Sequence, residues 1–190
     1  MISTKALIIG EKINLGYFSS RDLSAILLFS SMWAILNWIL APIVWNLTHL
    51  PILCDMVGTT LLILTVWLTR KPGASFLMGV VTTILHLILR PGSFHFLGFT
   101  AASALFDSAT TLVAYRERLS GKWIDHMILI GISITSCLAA GAIIGSLFMN
   151  IGGLYFFTAL HGFGGLLGGM LGVSIIKALE TRKIPRHRVG

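Results

Sequence analysis

Six apolar stretches follow one another along the chain: roughly Leu23 to Val44, Ile52 to Thr69, Ala74 to Leu89, Phe96 to Tyr115, Ile124 to Phe148 and Tyr155 to Leu179. Each is near the roughly 17–25 residues that a helix needs to cross a bilayer. The breaks between them are short and carry turn signals, such as Arg70-Lys71-Pro72-Gly73 and Pro91-Gly92. The pattern predicts an all-α integral membrane protein with one domain over residues 1–190. Residues 1–20 form a cytoplasmic or surface segment, 21–179 a six-transmembrane-helix bundle, and 180–190 a basic cytoplasmic tail. Ser19 followed three residues later by Asp22 is a capping-box arrangement at the start of the first span. Pro42 is expected to kink or end that span.

Composition removes most other readings. The chain is 55% hydrophobic and 11% charged, with a mean hydropathy of +0.88, whereas soluble domains carry about 25% charged residues. No room is left for a soluble catalytic domain. The net charge of +7 does not point to nucleic acid, because it follows the pattern of membrane insertion. Thirteen of the fourteen Lys and Arg residues fall on one side of the six-span layout, and Arg90 is the exception. Basic residues stay cytoplasmic, so both termini are placed inside, and the basic segments attract anionic lipid heads. Cys54 and Cys137 are isolated, in different spans and expected at different depths, with no disulfide or redox motif. No signal-peptide pattern opens the sequence.

Ionisable residues at membrane depth are costly and mark functional candidates. His49, Asp55, His86, Arg90, His95 and His161 all fall in the outer half or the outer loops. They suggest one polar cavity open to the outside, with Asn37, Asn150 and Tyr155 as further site candidates. His86 and Arg90 are four apart, so both can serve one ligand. Each candidate also has a structural reading: Arg90 can snorkel to head groups, and Asp55 can cap the second span or pair with Arg90 or a histidine. Asp107 is nearer the cytoplasmic end, with Ser133, Thr135 or Ser136 as expected hydrogen-bond partners. The histidines, Cys54 and Asp55 are metal-ligand types, but no pair has a recognised close spacing, and no metal or cofactor is expected. Aromatics crowd the same rim: Trp38, Trp45, Phe94, Phe96, Phe99, Tyr155, Phe156 and Phe157. Most belong to an interfacial belt, and a few can stack on a ligand ring. Glycines four apart, such as Gly141 and Gly145 or Gly164 and Gly168, are read as close helix contacts.

No Walker A sequence is present, so the chain is not expected to drive transport with its own ATPase. Common hydrolase signatures are also missing. The chain resembles the substrate-binding S components of energy-coupling factor (ECF) vitamin transporters. The resemblance lies in size, six spans and the segments Arg21-Asp22-Leu23-Ser24-Ala25-Ile26, Thr69-Arg70-Lys71-Pro72-Gly73-Ala74 and Gly98-Phe99-Thr100-Ala101-Ala102. It implies a non-catalytic subunit in a prokaryotic plasma membrane that captures a small micronutrient outside. It implies as partners a transmembrane T coupling subunit and two ATPases. It also implies that Ser30 and Ala34, four apart on the first span, meet the coupling subunit. Nickel and cobalt members use a Met-His start, whereas this chain begins Met1-Ile2-Ser3. The competing readings are a small membrane enzyme acting on lipid or quinone, and a structural membrane subunit.

Overall fold

The structure, a computed structural model, describes residues 17–113, 123–148 and 151–182. Six helices stand where the six apolar stretches fall: α1 Ser20–Thr48, α2 Ile52–Thr69, α3 Ala74–Leu89, α4 Phe96–Leu112, α5 Trp123–Phe148 and α6 Ile151–Thr181. Four of them, α1, α2, α5 and α6, have the length and apolar composition to cross a membrane. At about 1.5 Å per residue, the 16 residues of α3 reach about 24 Å, short of a bilayer core of ~30 Å. The fold is that of a multi-pass membrane protein.

The local signals act largely as the sequence suggests. Ser19 caps α1: its hydroxyl accepts from Asp22 N at 3.2 Å, while Asp22 Oδ2 accepts from Ser19 N at 2.9 Å. Gly73 (φ 84) and Gly92 (φ 88) supply the left-handed turns after α2 and α3. Pro42 does not end α1, which continues six residues to Thr48 before His49 closes it at φ 57.

Consecutive helices alternate in direction, and contacts between distant parts of the chain hold one end together. Lys71 Nζ reaches Asp22 Oδ2 at 2.8 Å and the Tyr17 carbonyl at 2.7 Å. Trp67 Nε1 donates to Glu180 Oε1 at 3.2 Å. Asp107 accepts from Gly73 N at 2.7 Å, Ser75 Oγ at 2.6 Å and Ser75 N at 3.2 Å. These bonds replace the α5 partners expected from sequence, Ser133, Thr135 and Ser136. The start of α3 exposes orphan amides, and a carboxylate from the end of α4 reaches them first. This end also carries Arg21, Arg70, Lys71, Lys177 and Arg182.

The core runs through Ile26, Trp33, Leu62, Ile63, Val66, Met78, Phe106, Leu129 and Ile176. Within it, α6 lies against α2 and α5 at backbone distance. A Cβ on Gly168 would stand 2.7 Å from the Met56 carbonyl, and one on Gly165 2.7 Å from the Ser133 carbonyl. Small residues permit such approach in lipid. Ser30 and Ala34 are 0% and 1% exposed, and the Ser30 hydroxyl donates to the Met78 carbonyl of α3 at 3.1 Å as well as to Ile26 O. This face of α1 is covered within the chain by α3.

Candidate ligand-binding cavity

At the end opposite the basic cluster lies a cavity of about 460 Å³, within the range of small-molecule sites. The second half of α1 contributes Trp33, Asn37, Ala41 and Trp45 to it. The start of α2 brings Cys54, Asp55 and Thr59, and the α3–α4 connection brings Arg90, Gly92 and His95. From α4 come Phe96, Phe99 and Phe106, from α5 Ser136, Cys137 and Ala140, and from α6 Phe157 and His161.

The α2–α6 wall is polar. His161 Nδ1 lies 2.8 Å from Asp55 Oδ2, with side-chain exposures of 6% and 13%. Gly164 makes that approach possible, since a Cβ there would stand 2.6 Å from Asp55 Cβ. Gly141 of α5 leaves similar room for the His161 ring, 2.9 Å from its Cδ2. Thr59 Oγ1 and Cys137 Sγ are 3.1 Å apart, and Asn37 and Cys54 line the cavity beside them. Both cysteines are free and line this cavity.

The opposite wall is aromatic and basic. Trp33 and Phe96 have ring centroids 6.4 Å apart, and Trp33 and Phe99 6.0 Å. These tilted distances lie in the favourable range for aromatic packing. Arg90 ends α3 with φ −139 and ψ 82, outside helical geometry, and His95 begins α4. Apolar surroundings, then the charges of Arg90 and His161, hold the His95 imidazole below its ordinary value.

Of the nine predicted site residues, the cavity brings together Asn37, Asp55, Arg90, His95 and His161. His86 lies behind it: the ring is fully buried and stacks on Phe96 at 3.8 Å with an 18° interplanar angle. It supports the aromatic wall from outside the cavity lining, a correction to its expected place. His49 is exposed at the end of α1, 5.8 Å from the Trp45 ring, and Tyr155 is 74% exposed. Neither lines the cavity. Asn150 lies outside the described residues. Sequence reasoning missed Trp33, Thr59, Phe106, Ser136 and Cys137, which sit mid-helix with no charge or loop to mark them. Among the described residues, no three His, Cys, Asp or Glu side chains converge as a metal-binding set.

Geometry thus defines a helical membrane fold with one polar and aromatic cavity at a single end. The crystal structure of an S-component of an ECF transporter shares this fold, with a TM-score of 0.64 over 88% of this chain and 88% of that chain, at 14% sequence identity. No protein-family model and no curated protein sequence matches the chain.

Proposed function

We propose that this chain is the membrane-embedded, non-catalytic substrate-binding subunit of an ECF-type importer. The observation that carries the reading is the cavity itself. A pocket of about 460 Å³ opens at the end away from the basic residues, in the fold of an S-component. With the basic end held in the cytoplasm, the cavity faces outside, all six helices cross, and both termini lie within. Asn37, Asp55, Arg90, His95 and His161 then form the polar part of the site. The likeness to an S-component supports a T coupling subunit and two ATPases as partners. The substrate is a micronutrient-sized molecule, and the host membrane is a prokaryotic plasma membrane.

Native mass spectrometry of the gently purified chain tests this reading. The expected result is one co-purified small molecule per chain, absent from an Ala41→Trp variant that fills the cavity. Wild-type protein without any bound molecule, together with no thermal shift across a vitamin panel, removes the reading. Turnover of a lipid or quinone by the purified chain does the same and favours an enzyme.

A further inference from the structure

The charged groups on the cavity wall are unequally engaged. Asp55 is its one acidic side chain and Arg90 its one guanidinium. Asp55 is already engaged, 2.8 Å from His161 Nδ1. Arg90, among the described residues, has no carboxylate within ion-pair distance. Donors are also in excess, because Trp33 lines the cavity and its buried indole N–H has no partner among the described residues. An aromatic wall beside a carboxylate superficially resembles a cation site. Arg90 is exposed at the cavity rim and Asp55 is already beside His161, so a cation seated here would meet a like charge at the mouth, whereas an anion would meet an opposite one.

We propose that the cavity takes a singly anionic small molecule with a flat apolar body, its acid group on Arg90 and its body against Trp33, Phe96 and Phe99. Guanidinium is suited to this task, because its planar fork meets a carboxylate or phosphate with two parallel hydrogen bonds. The aromatic rings offer area for the body. The Asp55–His161 pair and Asn37 line the remaining wall, where they accommodate neutral polar groups. This inference rests on the transport reading and narrows its substrate class.

The test uses the full chain in a neutral detergent with matched ligands. Indole, phenyl and pyridine bodies are each supplied as the acetate, the acetamide and the ethylamine, and binding is read by thermal shift and titration. The expected result is stabilisation by acetate members about tenfold or more stronger than by their acetamides, with no binding of the ethylamines. Arg90→Gln should bring the acetates down to the acetamide level, and Arg90→Lys should keep part of the difference. Equal or tighter binding of acetamides or ethylamines overturns the inference while leaving the transport reading standing. A neutral or cationic co-purified molecule has the same meaning. Absence of any bound or binding molecule sinks both. Arg90-dependent stabilisation by phosphatidylglycerol, without any by the small acids, assigns the guanidinium to a lipid head group and also overturns it.

Discussion

Asp55 Oδ2, in the first turn of α2, and His161 Nδ1, well inside α6, meet at 2.8 Å, and the two glycines Gly164 and Gly141 clear the space for them. Removing one partner of a buried pair leaves the other uncompensated, at about 3–5 kcal/mol. His161→Ala should therefore lower the thermal midpoint sharply, and Asp55→Asn, which keeps a hydrogen-bonding amide, should lower it less. Equal, small effects in a detergent melting experiment would show that the pair carries little of the stability.

The closeness of α2 and α6 makes a paired glycine experiment decisive. Gly168→Ala places a methyl group 2.7 Å from a backbone carbonyl, which cannot rotate away. It should be destabilising by roughly 1–3 kcal/mol. Gly131 has nothing within 4 Å of its Cβ position, so Gly131→Ala should be neutral or stabilising by up to about 1 kcal/mol. Melting curves of the two variants side by side check the contrast.

Asp107 joins the end of α4 to the first amides of α3 through three hydrogen bonds. Loss of a side-chain cap costs about 0.5–2 kcal/mol, so Asp107→Ala should destabilise within or above that range. Ser75→Ala removes the hydroxyl bond and leaves both amide bonds, so it should cost less. Hydrogen exchange at the α3 start should rise in Asp107→Ala before it rises elsewhere.

The depressed His95 imidazole gives two pH effects of opposite sign. Its ordinary value of 6.5 is lowered on folding, so the unfolded chain binds more protons in this window. Stability from this group is therefore present above about pH 6.5 and is lost as pH falls. An anion on Arg90 would raise the imidazole value again, so anion affinity should increase as pH falls. Melting and titration at about pH 7.5 and about pH 5.5, in wild type and His95→Gln, separate the effects. Both should shrink in the variant.

Helix positions were readable because apolar runs end at turn residues. The α2 and α3 limits, Ile52–Thr69 and Ala74–Leu89, follow from Pro51, Arg70 to Gly73 and Arg90 to Gly92. The capping box at Ser19 and Asp22 was readable because it is local. The site was readable only in part. Asp55, Arg90, His95 and His161 stand out because charge in an apolar run is rare. The inference that His86 and Arg90 share a face failed at the helix end: Arg90 leaves helical dihedrals, so the four-residue spacing no longer sets its direction. At Ser30 and Ala34 the sequence leaves the neighbour open: a small pair permits close approach to any helix, and the fold puts α3 there. Thr59, Ser136 and Cys137 are unremarkable in sequence and meet only through the crossing of α2 and α5.

The α3–α4 pair is fastened at both ends and in the middle. Asp107 ties the basic end, the Thr83 and Thr100 hydroxyls meet at 2.7 Å midway, and Ser93 Oγ closes the connection onto the Arg90 carbonyl at 2.7 Å. The two short helices are thereby joined along their whole length, and the connection that carries Arg90 and His95 is held from both sides.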